Sequence, residues 1–241
     1  MEDQEGPSSS EPLHSVAVIL PALNEEESIR RVLEALPPVG RVIVVDNGST
    51  DATAQIAADA GAEVVAEPRR GYGSACLAGM AEIERGEAKP AVVVFLDADA
   101  SDDPGLLPLL VEPILAGEAD FVLGSRMRGE REPGAMPPVA AFGNHFASWL
   151  MRTFWKASYT DLGPFRAIRY ESLIALGMID RDYGWTIEMQ MKALRHGLRV
   201  REIPVPYRRR IGRSKISGTV RGSLAAGTKI LLTLARYGWS R

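Results

Sequence analysis

The sequence predicts a single α/β domain built on a mostly parallel sheet flanked by helices. Three observations point to it. Apolar runs of strand length alternate five times with helix-patterned stretches across residues 15–125. The runs are apolar throughout rather than at every second residue, as strands buried on both faces are. Polar residues then gather just after three of the runs, at Pro21–Glu25, Asp46–Asp51 and Asp97–Asp103. In parallel sheets those carboxyl ends are where ligands bind, so three loops are expected to line one crevice.

Taken in order, the elements read as follows. Val16–Leu20 is a short strand. Asn24 is a candidate N-cap with Glu27 as its capping-box partner, and Ile29, Val32, Leu33 and Leu36 follow at helical spacing. Arg41–Val45 is the second strand, Asp51–Ala60 a helix stopped by Gly61, and Glu63–Ala66 the third strand. Gly71–Arg85 is a Gly-punctuated turn entering a helix. Ala91–Leu96, Leu106–Leu115 and Phe121–Leu123 are strand, helix and strand. The second half is less regular. Phe142–Trp155 reads as a helix, Thr160–Tyr170 as extended and Thr186–His196 as a helix closed by Gly197. A last strand runs from Val200 to Tyr207, and Pro204 and Pro206 place it at an edge. Gly218–Tyr237 is a final helix.

The chain has 241 residues and is 46% hydrophobic, ample for one core. A net charge of -3, from 28 basic and 31 acidic residues, argues against nucleic acid as a partner. The charge is uneven, however: Arg199–Arg221 holds eight Lys or Arg and one acid, Glu202. Cys76 is the sole cysteine, which excludes an intrachain disulfide and fits a reducing, cytoplasmic setting. MEDQEGPSSSEP lacks the basic start and apolar stretch of a signal peptide, and residues 1–14 read as a disordered tail. No run reaches the ~18 apolar residues of a membrane span. The expected setting is cytoplasmic, at most peripheral on the cytoplasmic face of a membrane.

The chemistry concentrates in FLDADASDDP. Asp97 and Asp99 lie two apart where a strand gives way to a loop, and hard carboxylate oxygens there suit Mg²⁺ or Mn²⁺ with substrate phosphates completing the shell. Asp102 and Asp103 read instead as acids favouring a helix start. Asp46, delivered by the second strand, can accept hydrogen bonds from a nucleobase. Gly71 and Gly73 let backbone approach a ligand, with Arg69 and Arg70 near phosphate. The run Arg208–Lys215 is a basic loop able to close over a diphosphate or a phosphorylated acceptor. Glu188 sits among apolar residues of a helix, as a general base or as a structural carboxylate paired with an Arg.

Eight motifs in order then resemble one family. VILPALNEE, VVDNGSTD, GYGSACLAG, FLDADASDDP, VLGSRM, TDLGPFRAI, YGWTIEMQMKA and RIGRSK are similar to those of the inverting family 2 glycosyltransferases of GT-A fold. The branch they resemble most contains the dolichyl- and polyprenyl-phosphate hexose synthases. The resemblance implies that Pro21, Asn24, Glu25, Asp46 and Gly71 line the nucleotide-sugar site. Asp97 would face sugar and diphosphate, Asp99 and Asp97 would serve the metal, and Arg126 would contact phosphate or sugar. Arg210, Ser214 and Lys215 would hold phosphates. It implies hexose transfer from a nucleotide-diphosphate sugar, UDP-glucose or GDP-mannose, to a polyprenyl phosphate. A phosphate acceptor needs no strong base. A small hydroxyl acceptor would need one, with Asp161 or Glu188 as candidates.

Residues 15–125 are then the nucleotide-sugar half, 126–217 the acceptor-facing half with the basic loop, and 218–241 a C-terminal amphipathic helix suited to peripheral membrane contact. A homo-oligomer is compatible with this reading. Two rivals keep a ligand site but change its use: a sugar nucleotidyltransferase and a non-catalytic nucleotide-sugar sensor. Three positions depart from the branch. It carries Asp where this chain has Asn47 and Gln where it has Ser101, and it has an Arg in the stretch corresponding to Met136–Asn144, where this chain has none.

Overall fold

The computed structural model describes residues 11–212 and Arg236. Ser214, Lys215 and, Arg236 apart, the expected C-terminal helix lie outside the described residues, as do residues 1–10 of the expected tail. Residues 11–14, also expected in that tail, instead belong to a 3-10 helix, Glu11–Ser15. Leu13 is buried there, and its carbonyl accepts from the Gly40 amide at 3.1 Å.

One seven-stranded sheet organises the chain. Its strands are β1 (Val16–Ala22), β2 (Arg41–Asp46), β3 (Glu63–Ala66), β4 (Val92–Phe95), β5 (Phe121–Ser125), β6 (Arg166–Arg169) and β7 (Val200–Pro204). They lie in the order β3-β2-β1-β4-β6-β5-β7. Only β6 is antiparallel, to both β4 and β5; the other pairings are parallel. β7 is an edge, as its prolines predict.

Successive residues of the strands feed opposite cores. Ala17, Ile19, Ile43, Val45, Val93 and Phe95 belong to one apolar cluster; Val16, Val18, Leu20, Val44, Val92 and Val94 belong to the other. That is why the strands read as continuous apolar runs. The first cluster is closed by α3 (Tyr72–Arg85), α5 (Pro138–Trp155), α6 (Tyr170–Leu176) and α7 (Trp185–Arg195). Trp185 meets Phe95 edge-on there, with ring centroids 5.8 Å apart. The second is closed by α1 (Ile29–Glu34), α2 (Thr53–Asp59) and α4 (Leu107–Leu115).

Four expectations are corrected. Asn24 is not the cap of α1: it adopts a left-handed φ of 52°, and Ser28 occupies the cap position. The Asn24 side chain instead accepts from the Thr50 amide at 2.8 Å, tying the first loop to the second. Thr160–Tyr170 is extended only from Arg166, and an unexpected helix, α6, begins at Tyr170. α5 starts at Pro138 rather than Phe142, because a proline is well placed in a first helical turn. Finally, Asp102 is not a solvated helix-start acid. It is 2% exposed and neither carboxylate oxygen has a partner, whereas Asp103 does accept from the Gly105 amide at 3.1 Å.

Candidate active site

The sheet order changes direction between β1 and β4, and a crevice opens at the carboxyl ends there. It is a cleft of ≈ 310 Å³ lined by Pro21, Glu25, Asn47, Arg70, Gly71, Tyr72, Asp97, Asp99, Tyr183 and Arg210, among others. Register explains the convergence: β1 and β2 end together, Ala22 pairing with Asp46, while β4 ends at Phe95 opposite Ile19, so Asp97 and Asp99 follow alongside the last residues of β1.

Acids meet one arginine at the floor. Arg210 places Nη2 2.9 Å from Glu25 Oε1 and Nη1 3.3 Å from Asp99 Oδ2. Asp99 Oδ1 accepts from the Ser101 amide at 2.9 Å. The backbone fixes this arrangement: the Ile211 amide donates to the Asp99 carbonyl and the Arg208 amide to the Ser101 carbonyl, both at 2.9 Å. Arg208 also pairs with Asp103 at 2.7 Å. The start of the basic loop is therefore strapped along the acidic turn. Burial and then the Asp99 charge push the Asp97 carboxyl up to about 7, against the pull of Arg126 and Arg210. Burial likewise drives Asp102 well above the carboxylate range.

Asn47 builds the opposite wall. Its amide nitrogen donates to the Glu67 and Arg69 carbonyls, at 3.0 and 2.8 Å, and its oxygen accepts from the Gly71 amide at 2.8 Å. An Asp here would have no donor for either carbonyl. Gly71, at φ 139°, lies against the Arg181 carbonyl, and Gly73 against that of Asp180. Both glycines thus serve close packing on the 180–181 turn, a use the sequence did not reveal, while Gly71 also lines the cleft.

Two carboxylates named as possible bases are occupied. Asp161 is fully buried and accepts from the Arg126 amide (2.7 Å), Arg126 Nε (2.9 Å), Arg126 Nη2 (2.8 Å) and the Leu162 amide (2.7 Å). Burial alone would raise its carboxyl, but the Arg126 charge and these bonds outweigh it and hold it below the usual range. Arg126 also stacks over Tyr207, 4.9 Å from the ring centre. Glu188, fully buried, accepts from the Ile179 and Asp180 amides at 3.1 and 2.6 Å and pairs with Lys192 at 2.8 Å, rather than with an Arg. It holds the turn against which α3 begins. Neither Asp161 nor Glu188 lines the cleft.

The cleft suits a divalent cation shared with a ligand. Asp97 and Asp99 offer hard oxygens, and burial together with the neighbouring Asp99 charge makes a cation beside Asp97 favourable. Among the described residues no three His, Cys, Asp or Glu side chains converge to form a complete metal cage. A cation here would thus draw its remaining ligands from substrate phosphates and water.

The glycosyl transferase family 2 model matches residues 17–177, which include every strand end that shapes this cleft except that of β7. The chain belongs to that family. An uncharacterized glycosyltransferase of Mycobacterium tuberculosis is 45% identical over 216 residues, covering 88% of this chain and 94% of its own. The undecaprenyl-phosphate mannosyltransferase of Micrococcus luteus is 32% identical over 226 residues, covering 86% and 89%. Glucosyl-3-phosphoglycerate synthase from Mycobacterium tuberculosis, in complex with Mn²⁺, UDP and glucosyl-3-phosphoglycerate, superposes with a TM-score of 0.75. It is 24% identical, with 100% of this chain and 88% of that one covered. The fold is GT-A and the protein is a glycosyltransferase.

In this family 2 chain, Pro21, Glu25, Gly71, Asp97, Asp99 and Arg210 share the cleft. Asn24 sits on the rim, where it joins a separate acidic hollow with Glu26 and Asp51. Asp46 accepts from the Ser49 amide through Oδ1 at 2.9 Å and does not line the cleft. Sequence reading missed Tyr183, which no motif chemistry flagged, and saw Asn47 only as a departure. Among the described residues no helix is long and apolar enough to cross a membrane.

Proposed function

We propose that the protein transfers a hexose, with inversion, from a nucleotide-diphosphate sugar to a polyprenyl-type phosphate. The observation behind this is that both carboxylates expected as bases, Asp161 and Glu188, are engaged by other groups. Glu25 and Asp99 are paired with Arg210. A phosphate nucleophile is already anionic and needs no proton removed. The relative named undecaprenyl-phosphate mannosyltransferase supports the same acceptor class.

The chain's residues divide the work as follows. Pro21, Asn47 and Gly71 shape the donor cleft, and Asp46 keeps the second loop's turn. Asp99, with Asp97, holds a divalent ion, Mg²⁺ or Mn²⁺. When bound, that ion neutralises charge developing on the leaving diphosphate. Arg210 starts on Asp99 and Glu25, within reach of an incoming diphosphate, and Ser214 and Lys215, which follow it in the sequence, are assigned to the same phosphates. Arg126, clamped by Asp161, presents a fixed charge to the acceptor side.

A second reading is transfer to a hydroxyl of a small acceptor. One observation favours it: Asp97 carries no hydrogen bond among the described residues and is the cleft acid available as a base. Purified protein with Mg²⁺ or Mn²⁺, a panel of nucleotide sugars and a short-chain polyprenyl phosphate separates the two. Nucleotide release that depends on the lipid phosphate and disappears in Asp99→Ala supports the first. Release indifferent to the lipid, but stimulated by a small hydroxy acid, supports the second.

A further inference from the structure

α5 wears its hydrophobic pattern inside out. Its buried side is mostly small or polar, with Asn144, Ala147 and Ser148 beside a single large apolar residue, Met151. Its outer side carries Val139, Phe142, Phe146 and Trp149, which are 62%, 72%, 39% and 50% exposed. Their spacing, i, i+3, i+7 and i+10, sets them on one stripe. The rings form a continuous ridge. Phe142 and Phe146 stack with centroids 6.1 Å apart, and Phe146 and Trp149 at 6.0 Å. A water-facing helix ordinarily turns such residues inward. A contiguous exposed patch of this kind marks a surface that something else covers.

Charge selects the occupant. Val139–Thr160 contains no Asp or Glu, while Arg152 and Lys156 are both exposed. Aromatic side chains on one face with cations beside them suit a helix lying in the headgroup layer of a bilayer, where anionic lipids attract the cations. A second copy of the chain suits it less. In a two-fold pair the same patch faces itself, so Arg152 and Lys156 would approach their own counterparts with no α5 carboxylate to offset them. α5 is also tied to the site. On its inner side the Asn144 amide donates to the Thr160 carbonyl at 3.3 Å, and its oxygen accepts from the Leu162 amide at 2.9 Å. Those residues flank Asp161, which clamps Arg126.

We propose that the outer face of α5 docks the protein on an anionic lipid surface. That the docked orientation presents the cleft to a lipid-phosphate acceptor rests on the function proposed above; the docking itself does not. The test is flotation with phosphatidylcholine vesicles, with and without phosphatidylglycerol, in the absence of donor and acceptor. The wild-type chain binds the phosphatidylglycerol vesicles, and binds neutral ones at least about fivefold more weakly. Phe142→Ser/Trp149→Ser weakens binding at least about tenfold, the order expected from withdrawing one buried aromatic side chain. It keeps the wild-type melting temperature and its transfer to a short-chain polyprenyl phosphate in solution. Failure of the wild type to bind anionic vesicles overturns the docking, as does undiminished binding by the double variant. A double variant that turns a wild-type dimer into a monomer, with vesicle binding unchanged, gives the face to a second copy and also overturns it. If vesicle binding behaves as stated but the wild type does not use the short-chain acceptor, docking stands and the acceptor assignment falls.

Discussion

Asp161→Asn separates a base from a clamp. Asp161 is fully buried, and three of its four hydrogen-bond donors belong to Arg126, whose side chain is itself only 14% exposed. Removing the carboxylate charge leaves a largely buried guanidinium without its partner, which costs about 3–5 kcal/mol. For a chain of this size that lowers the melting temperature by roughly 6–20 °C. The folded Asp161 carboxyl lies below its unfolded value. Its stabilisation is therefore complete above the unfolded value of about 3.9 and is lost as pH falls through the lower folded value. Wild type should thus lose stability steeply below about pH 4, and the variant should show a shallower acid limb. The double variant Arg126→Gln/Asp161→Asn recovers part of the loss, because no unpaired cation remains. Thermal melts across pH 3–8 provide the readout. A single variant that melts within about 1 °C of wild type, yet has lost turnover together with a titrating limb of its rate profile, would show a base rather than a clamp.

Three further outcomes follow from the same geometry. Glu188→Gln loses about 2–3 kcal/mol of stability in urea melts, since charged acceptance from the Ile179 and Asp180 amides and the Lys192 pairing all weaken; the pH dependence of turnover stays as in wild type. Arg210→Ala raises the affinity of the nucleotide-free protein for Mn²⁺ about fivefold, because the guanidinium no longer competes for Asp99, and lowers affinity for the donor. Electron paramagnetic resonance of free Mn²⁺ reads the first effect, and weaker Mn²⁺ binding would contradict it. Asn47→Asp sets a carboxylate against the Glu67 and Arg69 carbonyls and releases the wall of the cleft. Donor KM should rise about tenfold, the equivalent of one lost hydrogen bond, with kcat changed far less.

The fold was legible because β1, β2, β4 and β5 are largely buried on both faces and read as apolar runs, whereas β3 is largely exposed. The ligand edge was legible because Asp97, Asp99 and Glu25 have no reason to sit at strand ends unless a charge lies among them. The rest depended on partners far away in the chain. β6 inserts antiparallel between β4 and β5, a placement that the local pattern of Arg166–Arg169 does not encode. Asp161 looked like chemistry because nothing in its own segment showed that Arg126 would fill its lone pairs. Gly71 and Gly73 looked like ligand contacts because the 180–181 turn they pack on is more than a hundred residues away. Asn47 looked like a loss relative to the resembled branch until its three hydrogen bonds gave the amide a use. The outer face of α5 was visible as a helix, but only its burial showed that the aromatic side points away from the core.

The most direct test of the proposed reaction is the structure of its product. Incubation with the preferred nucleotide sugar, divalent ion and short-chain polyprenyl phosphate, followed by phosphorus and proton NMR of the isolated lipid, reads both the new bond and its configuration. An α-linked donor should give a hexose attached through its anomeric carbon to the lipid phosphate in β configuration. Free hexose alone, a sugar on a hydroxyl, or a retained α linkage would contradict the account.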